Sequence, residues 1–220
     1  VDEAITCYQK ALELKGDFLP AYMDLAKLYQ KNHLLNLRFY SVNHQYRIIY
    51  CMIPKNATTL FKTMMVNGDH QADYQQQNAG IHKYLRTRKE FKITDLRYFK
   101  DQEYFKFVIL RNPFNRLVSA YLDKFVKLRH SDKLPELPVQ KVINNVYEFL
   151  GLTPNIDKSI TFSQFVQYLT RMEDLQLDSH WRPQSAFLSL GLFEFDFIGQ
   201  FEKLNLVIEY FENKFAFKVN

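Results

Sequence analysis

The stretch Tyr46 to Lys62, YRIIYCMIPKNATTLFK, constrains the fold more than any other part of the chain. Its run Ile48, Ile49, Tyr50, Cys51, Met52, Ile53 is almost continuously apolar, the pattern of a strand covered on both faces in a parallel sheet. Pro54 has no N–H to donate and ends the ladder. Lys55, Asn56 and Ala57 then fill a tight turn, and Thr58 and Thr59 stand where a helix begins. Hydroxyls, the free N–H groups of a first helical turn and one ammonium converge there, which makes the turn a candidate anion site.

The pattern recurs. Phe105 to Leu110, FKFVIL, is a second buried-strand run; Arg111-Asn112-Pro113 ends it, and a helix is expected from about Asn115 in RLVSAYLDKF. Between the two units, Thr58 to Val66 has helical spacing. Asp69 to Lys92 is a polar loop with a short helix around His82 to Arg86. Two successive strand, turn, helix units predict an α/β fold, a P-loop-like parallel sheet flanked by helices, with ligands at the carboxyl ends of the strands. Further on, Val139 to Leu150 is an amphipathic helix stopped by Gly151, and Thr161-Phe162-Ser163-Gln164 is a capping box opening a helix to Leu169. Ser179 to Gln184, SHWRPQ, is polar and carries the one Trp. Phe195 to Phe201 reads as a last strand, and Lys203 to Lys214 as a closing helix.

Val1 to Asn32 is a different kind of sequence, with Ala4, Tyr8 and Ala11 on one helical stripe and Tyr22, Leu25, Ala26 and Tyr29 on another, separated by Gly16-Asp17. AITCYQKALEL and AYMDLAKLYQK resemble the second helix of one tetratricopeptide repeat and the first helix of the next. Residues 1–33 are therefore expected to be the α-helical remnant of a longer repeat array, and such arrays bind protein partners. Alternatively, the segment is a helical cap on the following domain. A lone repeat would not be stable, since these arrays need about three units.

With 220 residues and 47% hydrophobic content, the chain can bury one ordinary core and a small appendage. A net charge of +5 favours anionic partners, but the charges are mixed and the longest basic run is only Arg86-Thr87-Arg88-Lys89. That balance suits a nucleotide or an acidic glycan, and no nucleic-acid partner is expected. Two cysteines, Cys7 and Cys51, imply no disulfide framework and point to a reducing, cytoplasmic setting, with peripheral membrane association left open. No run approaches the roughly 18 apolar residues of a membrane span. The chain begins in mid-pattern, which leaves an upstream signal or anchor open.

PKNATTLFK resembles the 5'-phosphosulfate loop of sulfotransferases that use 3'-phosphoadenosine 5'-phosphosulfate (PAPS), and RNPFNRLVSAYLDKF resembles their 3'-phosphate motif. SHWRPQ followed by FDFIGQFEKL is similar to the C-terminal part of the carbohydrate branch, which acts on sugar hydroxyls. The resemblance runs from about Tyr46 to Phe211 and implies a sulfotransferase domain over residues 44–220, with the bisphosphate PAP as product. Two departures are visible: Ala57 and Thr58 stand where the family often has Gly or Ser, and AFLSLGLF lacks the cysteines of secretory-pathway members.

Sulfuryl transfer, like phosphoryl transfer, asks a protein mainly for positioning and charge stabilisation. By the resemblance, Lys55 would balance charge on the leaving oxygen, and Asn56, Ala57, Thr58 and Thr59 would cradle the 5'-phosphate. Arg111 and Ser119 would bind the 3'-phosphate, with Arg116 a lesser candidate beside them or a cap on the sheet edge. The acceptor hydroxyl needs a general base, for which His82, between the two motifs, is first choice and His180 second. Trp181 and Arg182 are candidates for contacts to acceptor or nucleotide, and core packing is the alternative for Trp181. No metal site is expected, because His and acidic residues lack ligand spacing. A P-loop kinase would need a glycine-rich loop, and Pro54 to Thr59 contains no glycine. A repeat-linked interaction protein with an inactive transferase-like domain remains the rival from another class.

Overall fold

Strand β2 (Ile48–Cys51) is buried at all four positions because its alternate side chains enter two different cores. Ile49 and Cys51 face Val42, Ile93, Leu96, Phe99 and Phe187; Ile48 and Tyr50 face Phe61, Met64, Met65, Phe107 and Phe211. A strand with both faces covered favours apolar side chains at every position, which accounts for its continuous apolar run. In this computed structural model the described residues are 36–66, 80–93, 95–127, 137–173, 176–188 and 193–215. The repeat-like segment, 1–33, lies outside them.

The chain divides into two units. The first comprises the described residues up to Arg111 and those from Gln184 onward. It holds a four-stranded sheet in the order β1 (Tyr40–Asn43), β2, β3 (Phe105–Leu110), β4 (Phe197–Gln200). β2 and β3 run parallel with Ile48 opposite Phe105, and β3 and β4 run parallel with Phe107 opposite Phe197. The sheet is mainly parallel, as expected, with β1 added as an antiparallel edge strand, Tyr40 opposite Cys51. Its buried polar residues are satisfied, Ser41 donating to the Phe91 carbonyl and Asn43 to that of Met65. Helix α1 (Thr58–Met65) covers one face of the sheet, followed in sequence by α2 (Ile81–Thr87) and α3 (Arg97–Lys100). Helix α7 (Leu204–Phe215) joins α1 on that face through Phe211, whose ring centroid is 4.5 Å from that of Phe107.

The second unit, Asn112–Pro183, is helical. Asn112 caps α4 (Pro113–Tyr121): its side chain accepts from the N–H groups of Phe114 and Asn115, and Pro113 takes the first helical position, where no N–H is needed. A π turn, Leu122–Val126, follows. Helix α5 (Leu137–Phe149) ends near Gly151, whose φ of 66° is the left-handed conformation of a helix stop. Helix α6 (Phe162–Leu169) opens with the expected capping box. Phe125, Val139, Ile143, Val146, Phe165 and Trp181 form its core, and each large apolar side chain buried there contributes about 1.5–3 kcal/mol.

Candidate active site

The turn after β2 takes a conformation that L-residues avoid. Lys55 and Ala57 have φ of 71° and 54°, and such left-handed residues cost about 1–2 kcal/mol each. Strain of this kind persists where the surroundings enforce it and concentrates at functional sites. Ala57 is the N-cap of α1 and provides no side-chain cap, so the first-turn N–H groups are not answered from that side chain. The Thr58 hydroxyl donates to the Ile53 carbonyl at 2.7 Å and closes the turn from beneath. Thr59 is exposed.

Asn56 is fully buried and ties the turn to the neighbouring strand. Its Nδ2 donates to the Ile109 carbonyl at 2.8 Å and to Gln184 Oε1 at 2.6 Å. Gln184 in turn grips Arg111, accepting from its N–H at 3.0 Å and donating to its carbonyl at 2.7 Å. Arg111 Nη1 donates to the Lys55 carbonyl at 3.0 Å, and its guanidinium lies over the Phe201 ring at 4.2 Å. Two buried atoms are left over: Arg111 Nε is a donor without an acceptor and Asn56 Oδ1 an acceptor without a donor. Buried polar groups are nearly always paired. An unpaired cationic donor beside a strained turn fits an anionic oxygen, so these residues suit a phosphate group.

The short helix α2 brings His82 to the same place. Ile81, Tyr84 and Leu85 are its buried side, leaving His82 exposed toward α1. His82 Nε2 lies 3.1 Å from Thr59 Oγ1, and Nδ1 lies 3.0 Å from Lys62 Nζ. Burial lowers the Lys62 pKa below its ordinary 10.5. The imidazole is on the wall of a cavity of about 590 Å³ also lined by Arg38, Lys62, Arg86 and Lys92, with Met52 and Leu85 among its apolar walls.

In the second unit the SHWRP segment is held from within. Arg116, only 4% exposed, donates to the Ser179 carbonyl at 2.9 Å and the Arg182 carbonyl at 2.7 Å. Its fork is thereby engaged in shaping this loop. Arg182 donates through Nε and Nη2 to the Leu177 carbonyl. Trp181 is 5% exposed, its ring centroid 5.4 Å from that of Phe165 and 5.8 Å from that of Phe125. It is a core ring, not a free stacking face for sugar or adenine, because those contacts fill its surroundings. His180 accompanies Asp178: its Nδ1 lies 2.7 Å from Asp178 Oδ1 and its N–H donates to the same oxygen at 2.9 Å. Burial alone would raise the Asp178 pKa, but these hydrogen bonds and the charges of His180 and Lys124 hold it below 3.8. With its proton on Nδ1, His180 would keep Nε2 as an acceptor. Ser119 is half-buried on α4.

The structure thus brings Lys55, Asn56, Thr58, Thr59, His82 and Arg111 together in the first unit. Sequence reasoning missed Gln184 and Lys62. Gln184 ends the polar SHWRPQ run, and nothing in that run singles it out; Lys62 has the three-residue helical spacing from Thr59 that could have paired them. Among the described residues no group of three or more His, Cys, Asp or Glu side chains is placed to hold a metal ion, and no helix is long and apolar enough to cross a membrane. Cys51 is a free, buried thiol that burial pushes up to about 12.

A strained turn between a parallel strand and a helix, with cations converging on it, is the arrangement of an anion-binding α/β protein. The chain belongs to the sulfotransferase family, whose model matches residues 38–219. Its relatives include carbohydrate sulfotransferase 14 of Homo sapiens, 27% identical over an alignment of 191 positions that covers 79% of this chain and 46% of the relative. Carbohydrate sulfotransferase 9 of Homo sapiens is 28% identical over 83% of this chain and 42% of its own length. Carbohydrate sulfotransferase 11 of Danio rerio is 26% identical over 77% of this chain and 50% of its own length. The chain therefore spans half or less of these three relatives. No solved structure matches it significantly.

Proposed function

We propose that this chain is the catalytic region of a sulfotransferase that takes its sulfuryl group from PAPS and passes it to a hydroxyl of a carbohydrate. The observation that carries the proposal is Arg111, whose buried Nε lacks a partner beside the left-handed turn of Lys55 and Ala57. The donor supplies an activated sulfuryl group; the protein's part is to hold it in line and to take a proton from the acceptor. Lys55 balances the charge of the departing bridging oxygen. The N–H groups of Thr58 and Thr59 hold the 5'-phosphate at the start of α1. Arg111 takes the 3'-phosphate, and Ser119 shares that role by its place in the motif. The names of the relatives support a carbohydrate acceptor, and the cationic cavity beside His82 would receive it.

His82 is the general base in this reading, because it reaches the same helix that carries the phosphate turn. His180 is the second candidate, favoured by the carboxylate that holds its Nδ1.

Calorimetric titration with adenosine 3',5'-bisphosphate, beside AMP and without metal, tests the site. The bisphosphate should bind far more tightly than AMP, and Lys55→Ala and Arg111→Ala should each weaken it at least about tenfold while leaving the fold intact. Equal affinity for both nucleotides would sink the proposal. His82→Gln should lower turnover about 10²- to 10⁴-fold and spare bisphosphate affinity. If His180→Gln does so and His82→Gln does not, the two histidines exchange roles.

A further inference from the structure

We infer that Lys62 is a positioning residue for His82: its ammonium, held at Nδ1, keeps the imidazole neutral and places the ring proton on Nε2. The inference rests on the reading of His82 as the base and adds the group that sets its protonation state.

The geometry leaves one consistent assignment. Thr59 and Lys62 are three residues apart on α1, so both side chains rise on the side facing α2. An ammonium has donors only, so Nδ1, at 3.0 Å from Lys62 Nζ, accepts. A neutral imidazole has one donor and one acceptor, so Nε2 carries the hydrogen and gives it to Thr59 Oγ1 at 3.1 Å. The Thr59 helical turn is itself braced, with the Thr63 hydroxyl donating to the Thr59 carbonyl at 3.1 Å. A second proton can enter the ring only at Nδ1, against the Lys62 charge. Lys62 therefore opposes the imidazolium and must yield Nδ1 when the ring takes a proton from an acceptor hydroxyl.

The other cations among the described residues act in the same direction. On α2 itself the neighbours are Lys83 and Arg86; across the cavity stand Arg38 and Lys92. The 3-10 turn Lys89–Phe91, packed on α2, adds Lys89 and Glu90, and Glu90 pairs with Arg88 at 3.8 Å. Lys62 is in hydrogen-bond contact with the ring, so its removal should be felt strongly.

The experiment is an NMR titration of the histidine rings in the unliganded chain, for wild type, Lys62→Met and Lys62→Arg, with His82→Gln to assign the signal. A unit charge at this distance moves a neighbouring pKa by about half a unit or more even in high dielectric. The His82 midpoint should lie below about 6.5 in wild type, rise by about half a unit or more in Lys62→Met, and stay within about 0.2 units in Lys62→Arg. Turnover gives a second readout. The acidic limb of kcat/KM should move up by the same amount in Lys62→Met, so that the ratio of activity at pH 6 to activity at pH 8 falls about 1.5- to 2.5-fold relative to wild type for a half-unit shift. A lysine that only held structure or acceptor would lower activity by the same factor at both pH values. An unmoved His82 midpoint in a Lys62→Met chain that still binds the bisphosphate overturns the inference alone. Full turnover in His82→Gln, with bisphosphate affinity intact, overturns the base assignment and the inference with it.

Discussion

Arg116 is nearly buried with two of its nitrogens donating to carbonyls, whereas Arg111 keeps a buried Nε without a partner. In sequence the two arginines are five residues apart in one motif, Arg116 the lesser candidate; the surrounding backbone shows what each one holds. The difference predicts opposite failures. Arg116→Met leaves the carbonyls of Ser179 and Arg182 without charged donors, each worth about 1.5–3 kcal/mol, and should destabilise the protein by about 3–5 kcal/mol in urea unfolding. Arg111→Met should change stability far less and lose bisphosphate binding instead. A stable Arg116→Met chain would show that solvent satisfies those carbonyls. Trp181 teaches the same lesson: its aromatic ring and polar neighbours read equally as a binding face or as core. Its contacts with Phe125 and Phe165 give it the core role, and residues so distant in sequence leave no local trace. The turn that carries Lys55 and Asn56 was legible because a link between an apolar strand and a helix has few physical outcomes.

The strands and helices that define the sheet could be read where one period dominates. FKFVIL became β3 at the expected bounds, and the capping box opened α6 at Phe162. Strand β1 was not readable: it has four residues, two of them polar, and it exists because Ser41 and Asn43 find carbonyl partners 50 and 22 residues away. The π turn after α4 likewise left no mark in the helical pattern. Strand β4 makes a sharper prediction. A Cβ added at Gly199 would stand 2.7 Å from Ile109 Cδ1 and 2.9 Å from Phe197 Cε1, both closer than packed carbons tolerate. Gly199→Ala should therefore cost about 1–3 kcal/mol through overpacking between β3 and α7, measured as a lower denaturant midpoint with an unchanged slope. An equal or higher midpoint would mean that Ile109 and Phe197 repack freely.

At the scale of the molecule, the family match from 38 to 219 crosses both units, so the division at Arg111 and Gln184 falls inside the family's own span. The sequence does not mark that division, because α4 begins two residues after Arg111 with no linker between them. Charge, by contrast, is legible from composition. A chain of net charge +5 would attract an anionic nucleotide through its whole field, and in the proposed reading Lys55 and Arg111 add contacts at short range. Salt separates the two contributions, since the screening length falls from about 30 Å at 0.01 M to about 8 Å at 0.15 M. Bisphosphate affinity should therefore fall several-fold between about 0.02 and 0.2 M NaCl. Lys55→Ala should bind more weakly at both concentrations, with a shallower dependence because one contacting charge is gone. If Lys55→Ala kept the wild-type salt dependence, the lysine would lie outside the reach of the phosphates. The cradle would then depend on the turn's N–H groups and Arg111 alone.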